Sequence, residues 1–387
     1  MKNKAFHIGP IRPPSEAQSL LLQVTNGCTW NRCKFCRLYR HTKFKAYTVD
    51  DVKRDIDKIA ALAERAMKFK KDPGVAGIGN EIGWDVDGLN RELSAMEGDE
   101  QQCYYMVINW LMTGGENVFL QDGNTVVLSG GKLTEVLRYL KTTFPSIKRI
   151  TSYGRAENLS KVSAEEFAEL KEAGLDRIHS GFESGSDAVL EMVNKGVTAE
   201  QQIRAGKNIK AGGIQLSVYF MPGLGGKELS RENALGMAHV VSSCDPDFVR
   251  IRTAAVKPGT ELYDDLEAGK FTLCSEDDKV REIRTLVEKA DFSGSIVSDH
   301  IVNLLQDVEG SCRKDRSRML KVIDDYLGMP ENARRIYQMA RRLGRVSRPS
   351  QIDLIPESEI SRLDSIARGV PDAEWDVKMN EMIGEYI

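Results

Sequence analysis

Cys28, Cys33 and Cys36 fall within nine positions, in the run GCTWNRCKFC. The spacing is C-x4-C-x2-C. A short irregular loop can wrap three thiolates so placed around one [4Fe-4S] cubane, each holding one iron. The fourth iron then lacks a protein ligand. An open iron beside a bound small molecule is a reaction site, whereas a fully ligated cluster mostly moves electrons. The flanks carry Trp30, Asn31, Arg32 and Lys34, so the run does not read as an apolar core strand. Structural zinc is the competing reading. It needs a fourth ligand, and His41 lies five residues beyond Cys36. A disulfide framework does not suit seven cysteines spread over 387 residues. The other four, Cys103, Cys244, Cys274 and Cys312, form no second close group.

The elements that must hold this loop follow from the pattern. SLLLQVTNG reads as a buried strand that runs straight into the first cysteine. Thr48 opens a helix with Asp51 as capping partner, and Ser163 with Glu166 and then Thr198 open two more. Later segments alternate: NVFLQ, SIKRITSY, DRIHSGFES, GIQLSVYFM and DFVRIRTAA as strands, with amphipathic helices between. Such alternation predicts parallel strands with right-handed crossovers. Six strand candidates before position 260 predict an α/β fold: a partial (β/α)6 TIM-like barrel. The expected layout is an amino-terminal extension at 1–17, a core at 18–260, and a mainly helical carboxy-terminal region at 261–387. Residues 70–103, rich in glycine and acidic residues, read as a lid or surface excursion, followed by a short helix at YYMVINWLMTGG.

Composition narrows the function classes. The 54 basic residues are balanced by 57 acidic ones, for a net charge of -3. That is no nucleic-acid footprint, so such a partner is not expected. The arginines at 334, 335, 341, 342, 345 and 348 read as a solvated helix face. No apolar run approaches a membrane span, and the leading segment has no signal-peptide core, so the cytoplasm is the expected location.

The cysteine run resembles the cluster loop of the radical S-adenosylmethionine (radical SAM) enzymes. Their commonest form has three residues between the first two cysteines. The four here, and Phe35 before the last cysteine, fit some branches. The resemblance implies a partial barrel, a [4Fe-4S] cluster and SAM as cofactors, and reductive cleavage of SAM to a radical that abstracts hydrogen from a substrate. It also implies a reducing donor such as flavodoxin or ferredoxin. The turn LQDGN stands where the family often has a glycine run that binds the SAM ammonium. Its Asp-Gly-Asn form resembles Elongator-like and coproporphyrinogen-oxidase-like relatives. On this resemblance Gln121, Asp122 and Gly123 are candidate SAM contacts, as are Glu183 on the next-but-one strand, Ser217, and Arg231 for the SAM carboxylate. A strand carboxylate that caps the next helix is the plain alternative for Glu183. His179 is as readily an internally bonded histidine as a proton donor.

The substrate side is read from strand ends, where parallel barrels bind ligands. Tyr153 and Arg155 end one strand. Ser217 and Tyr219 share a face by the period of two. Arg250 and Arg252 share another. Two arginines on one buried face need anions, which are either an acidic small-molecule substrate or internal carboxylates. Asp299 and His300, with Asn303 one turn on, are expected to start a helix that closes the cavity from below. MPGLGGKE lacks the Lys-Ser/Thr order of a phosphate loop and the dinucleotide fingerprint.

Overall fold

The structure is a computed structural model, which describes residues 5–71, 83–128 and 131–385. Eight strands form one sheet in the order β1 (Leu20–Gln23), β4 (Asn117–Gln121), β5 (Arg149–Tyr153), β6 (Leu175–Glu183), β7 (Gln215–Phe220), β8 (Phe248–Ile251), β9 (Ser295–Val297) and β10 (Gly310–Ser311). All neighbours are parallel as far as β9, and β10 returns antiparallel. A small hairpin of β2 (Thr25–Asn26) and β3 (Lys45–Ala46) closes the base of the cysteine loop.

Helices follow the strands as the alternation requires. From the amino end they are α1 (Val49–Met67), α2 (Val86–Ser94), α3 (Gly98–Met112), α4 (Lys132–Thr143), α5 (Ala156–Leu159), α6 (Ala164–Glu172), α7 (Asp187–Met192), α8 (Ala199–Ala211) and α9 (Ser230–Cys244). The capping boxes at Thr48, Ser163 and Thr198 all form. Strand parity divides the sheet into two faces. Leu20, Leu22, Val118, Leu120, Ile150, Ile178, Leu216, Val218 and Val249 join the main apolar core with residues of these helices. The opposite face is the barrel interior, and register places Thr151, Arg177 and Gln215 in one layer. Tyr153, His179, Ser217 and Phe248 form the next, followed by Gly181, Tyr219, Arg250 and Val297.

Three expectations are corrected. In the described part of the 70–103 excursion, α2 and the start of α3 are helical, and Trp84, Leu89 and Cys103, with Tyr104 just beyond, are buried in the main core. The following helix begins at Gly98 rather than near Tyr104. Residues 72–82 lie outside the described residues. The sheet also continues past position 260, because β9 adds a parallel strand and β10 a return. Strands of three and two residues are too short to show a period. Finally, Asp299 to Asn303 is not helical. Asn303 instead bonds the end of β8, accepting from the Thr253 N–H at 3.1 Å and donating to the Ile251 carbonyl at 2.8 Å.

The remaining helices are α10 (Glu261–Glu267), α11 (Glu276–Lys289), α12 (Arg316–Leu327), α13 (Glu331–Arg342), α14 (Glu357–Gly369) and α15 (Asp372–Gly384). Of the arginines expected on a solvated face, Arg345 and Arg348 are exposed, while Arg334 and Arg335 are half-buried and the other two are taken into the protein. Arg341 and Arg342 are buried, at 5% and 2% exposure. Arg342 reaches Glu276, and Arg341 donates to the Asn303 and Ile301 carbonyls. Arg334, Arg335, Arg345 and Arg348 pair with Asp277, Asp372, Glu359 and Asp307. The i, i+3/i+4 pattern cannot tell a solvated arginine from one that staples two segments far apart in sequence.

Candidate active site

The cysteine loop lies across the carboxyl ends of the strands, and the turn after β4 holds it. Asp122, fully buried, accepts from the Gly27 N–H at 3.1 Å and from Gln23 Nε2 at 3.3 Å, and it bonds the Tyr39 hydroxyl. Burial pushes the Asp122 carboxyl up, against those donors. A Cβ on Gly123 would stand 3.1 Å from the Gly27 carbonyl, so glycine lets the turn and the loop touch. Asn124 donates to Thr29 Oγ1 at 3.3 Å and to Asn158 Oδ1 at 2.7 Å, and accepts from the Arg155 N–H. The Asp-Gly-Asn turn is thus a cradle for the loop. The Asp122 side chain is committed to loop backbone and Tyr39, not left free for an ammonium. Gln121 is committed too: its amide bonds Gly9 and the Ile11 carbonyl.

On the far side, Trp30 donates to the Asn194 carbonyl at 2.7 Å and lies between the Arg32 and Arg155 guanidiniums. Gly196 has φ +66°, and a Cβ there would come 2.5 Å from the indole. Arg155 also donates to the Lys195 and Gly196 carbonyls, so it fixes this corner rather than lining a free cavity. The Lys34 N–H and carbonyl bond Val193 and Leu262, which joins the loop to α7 and α10.

All three thiols are free, with Cys33 buried and the others half-buried. Burial pushes the Cys33 thiol up, and the Lys195 and Arg155 cations oppose that rise. Cationic neighbours favour thiolates and a net-negative cluster. No three His, Cys, Asp or Glu side chains among the described residues converge on a single-ion site, so His41 does not complete a zinc tetrahedron with the cysteines. A cubane asks for something else: one thiolate per corner, spread around a cluster. The loop offers three thiols for such corners, and among the described residues no His, Cys, Asp or Glu joins them in a single-ion site.

Below the loop the barrel interior is polar and under-bonded. Tyr153 and Tyr219 face each other there, with hydroxyls pushed up by burial, Tyr219 to about 12. Among the described residues, the Tyr219 hydroxyl, Thr151 Oγ1 and both His179 ring nitrogens make no well-formed hydrogen bond, although Tyr153 lies near Tyr219 and Glu16 near His179. His179 stacks edge-on to Tyr153 and Phe119, and burial drives its pKa down to about 4, so it is neutral near pH 7. Glu16 plugs the floor: it accepts from Ser19 and Arg149 and sits 3.5 Å from His179. Glu183 ends β6 at φ +65° and pairs with Lys195 at 3.2 Å, both side chains nearly buried.

The two strand arginines part company. Arg250 donates to Ser217 Oγ and pairs with Asp299, so both it and Ser217 are already bonded. Arg252, one step nearer the mouth, is half-buried, and its side chain has no hydrogen bond or ion pair among the described residues. Burial and the neighbouring Arg252 hold His300 down at about 4. The His300 carbonyl accepts from Asn303, which bonds the carboxyl end of β8, so His300 stands at that end of the barrel and not below it. Arg231 is exposed in the first turn of α9 and touches none of these groups. Sequence reading missed Tyr39, Asn124, Trp30, Lys195 and Thr151. Trp30 and Tyr39 flank the cysteines and could have been singled out. The rest gain their roles only from contacts distant in sequence.

Residues 94–237 match the sequence model of the Radical SAM superfamily, a stretch that begins after the cysteine loop. A tRNA uridine(34) acetyltransferase of Methanocaldococcus infernus is 27% identical over 123 residues, 31% of this chain and 23% of that protein. The heme chaperone HemW of Bacillus subtilis is 21% identical over 181 residues, 46% of this chain and 47% of that one. The matches thus span less than half the length of these curated relatives. Among solved structures, coproporphyrinogen III oxidase (HemN) of Escherichia coli aligns with a TM-score of 0.41 at 15% identity, over 70% of this chain and 51% of that one. No helix among the described residues is long and apolar enough to cross a membrane. The family match lies on the strands and the cysteine loop lies across their carboxyl ends, so residues 94–237 of this chain are similar to the radical SAM superfamily, whose enzymes use a [4Fe-4S] cluster and S-adenosylmethionine.

Proposed function

We propose that the chain is a radical SAM enzyme acting on a small anionic substrate held inside the barrel. One observation supports the reading: a three-thiol loop lies over a barrel whose interior, among the described residues, keeps buried polar groups without hydrogen-bond partners and an arginine side chain, Arg252, without an ion-pair partner. Buried polar atoms are normally bonded, so a cluster of bare ones beneath a metal loop supports a ligand site. When bound, the cluster and SAM would supply an electron and a hydrogen-abstracting radical.

The chain's own residues then have separable tasks. Cys28, Cys33 and Cys36 would hold the cluster, with Asp122, Asn124, Trp30 and Arg155 fixing their loop. Glu183, held by Lys195 beside the cysteines, would accept from a SAM hydroxyl or ammonium. Arg252 would fix the substrate's charge. Tyr153, Tyr219, Thr151 and neutral His179 would bond its uncharged part and exclude water. His300, kept neutral near pH 7 beside Arg252, would face the entrance. An anaerobic, cytoplasmic setting and a flavodoxin or ferredoxin as electron donor complete the proposal.

The tRNA acetyltransferase relatives make RNA the second reading. The six carboxy-terminal arginines weigh against it, because each already bonds protein groups. The test is anaerobic reconstitution followed by dithionite and SAM, with 5'-deoxyadenosine and candidate-metabolite mass as readouts. Formation of 5'-deoxyadenosine supports the class, and a well-loaded cluster that never yields it overturns it.

A further inference from the structure

The chain as a whole is balanced in charge, but its cysteine loop is not. From Thr29 to Lys45 there are six lysines and arginines and no aspartate or glutamate. Two of the six are neutralised by α10, Lys34 by Asp265 at 2.7 Å and Arg40 by Glu261 at 2.9 Å. The other four, Arg32, Arg37, Lys43 and Lys45, are exposed, and none pairs with a carboxylate among the described residues. Arg32 lies over the Trp30 ring at 5.4 Å and Lys45 over the Tyr47 ring at 4.6 Å, while Arg37 donates to the Pro258 carbonyl at 3.0 Å. Rings and carbonyls hold these cations in place without cancelling their charge. Asp51, which feels the Lys45 charge, is itself paired with Arg54. Leu38 belongs to the same loop and is 42% exposed. Cys28 and Cys36 are only half-buried, so a cluster held by them lies close to this surface.

We infer that the exposed face of the cysteine loop docks the acidic surface of a protein that carries single electrons. This rests on the radical reading above and deepens it, by placing the electron donor and giving the chemistry that recognises it. Reductive cleavage of SAM needs one electron. The carrier is oxidised by one, the cluster is reduced by one, and that transfer makes or breaks no bond and moves no proton. Electron transfer weakens steeply with distance, so the donor must come up against the loop that holds the cluster. Four cations without carboxylate partners, around an exposed leucine, have the layout of a protein interface: an apolar centre within a charged rim. Opposite charge on the partner speeds the encounter and sets its orientation. An RNA strand is the other anionic partner, and it stacks its bases on open aromatic faces. The rings of this loop are occupied. Tyr39 is buried, Trp30 carries the Arg32 and Arg155 guanidiniums, and Tyr47 carries Lys45 and meets His7 at 4.5 Å.

The test uses the anaerobically reconstituted full chain, with iron measured for every variant to show that the loop is intact. Calorimetry with oxidised flavodoxin at low salt reads docking, and stopped-flow bleaching of the cluster reads electron delivery. The triple variant Arg32→Gln, Lys43→Gln, Lys45→Gln should bind flavodoxin about tenfold more weakly, and reduction by flavodoxin should slow about tenfold. In the wild type that reduction should slow as salt rises, and in the variant much less. Photoreduced deazaflavin is small and needs no docking face, so it should reduce both at the same rate. Lys43→Arg should behave as wild type. Equal flavodoxin binding and reduction in wild type and triple variant would overturn the docking face, as would an equal slowing with deazaflavin. So would failure of both flavodoxin and a plant-type ferredoxin to reduce a cluster that deazaflavin does reduce. A single-stranded RNA oligonucleotide that needs these cations, while flavodoxin does not, would overturn it too. The radical reading is tested apart from this, by whether the deazaflavin-reduced protein yields 5'-deoxyadenosine from SAM.

Discussion

Buried arginines occur in two regions of this molecule, and they do different things. Among the carboxy-terminal helices, Arg342 meets Glu276, which also takes Lys279 at 3.1 Å, and Arg341 bonds two carbonyls of the 301–303 turn. There the charges tie α13 to α11 and to the segment behind the barrel mouth. Inside the barrel, Arg250 is matched by Asp299, but among the described residues the Arg252 side chain has no ion-pair partner, and hydroxyls and the imidazole beneath it lack hydrogen-bond partners. A low-dielectric interior penalises an unmatched polar group heavily, so complete matching marks architecture and incomplete matching marks a place reserved for a ligand. Burial of a charged residue alone does not separate the two.

The largest effect should come from the loop itself. Ala at Cys28, Cys33 or Cys36 should abolish the cluster, seen as loss of iron and sulfide after anaerobic reconstitution, about four of each per chain. Cys312→Ala should keep both, because Cys312 is buried in the main core, where its thiol bonds the Ala290 carbonyl and the Arg316 side chain. Stoichiometric zinc on the three cysteines in place of iron would break the functional side of the comparison.

Next comes the arginine contrast. Arg342→Met should destabilise the fold by about 3 kcal/mol or more, since it leaves Glu276 buried with only Lys279 as counter-charge. Arg252→Met should change stability by less than about 0.5 kcal/mol, yet lose substrate turnover, because no protein group depends on it. Urea unfolding read beside turnover separates these outcomes. A large loss of stability at Arg252 would make it another structural arginine and erase the distinction.

The parts of this site written locally were legible from sequence; those assembled across the chain were not. The three cysteines lie within nine residues, and the capping boxes span four, so spacing alone reveals them. Alternation placed Ser217 with Tyr219, and Arg250 with Arg252, on shared faces. It could not say that Asp299, 49 residues away, matches the first arginine and not the second. Asp122 stands out in its turn, but its partner Gly27 is 95 residues earlier, so its task of holding the loop was hidden. The short β9 gave no period, and the carboxy-terminal arginines gave a helical pattern that fits either solvent or a buried carboxylate.

A third prediction uses acid to probe the barrel floor. His179 has its pKa driven down to about 4 by burial, so the unfolded chain binds a proton there that the folded chain refuses. Its neutral form favours folding above pH 6.5, and that advantage is lost as pH falls toward 4. The shift corresponds to about 3 kcal/mol over that window. Glu282, pushed up to about 7 by burial, works the other way, losing stability as pH rises from 4.5 to 7. The whole-protein curve mixes these slopes, so the measurement must be a difference. His179→Gln should flatten the acid-side loss relative to wild type, with the Glu282 contribution cancelling. Parallel curves would mean that His179 is solvated or protonated in the native state, and the dry polar floor would have to be abandoned.

The smallest effect distinguishes the two roles open to Asp122. If its carboxylate holds the loop, Asp122→Asn keeps one acceptor for the Gly27 N–H, while the Tyr39 hydroxyl can turn to accept from the new amide. The loss should then be only about 1 kcal/mol, confined to the loop. Hydrogen exchange should quicken over residues 27–39, and cluster reconstitution should slow, with SAM affinity of the loaded protein little changed. If Asp122 instead met the SAM ammonium directly, removal of its charge would weaken SAM about tenfold or more and leave loop exchange as it was. The bonding in the structure favours the first outcome, because the carboxylate is fully buried and already faces Gly27, Gln23 and Tyr39. Direct contact with SAM would require that network to open, and the exchange data would then show it opening in the wild type when SAM binds.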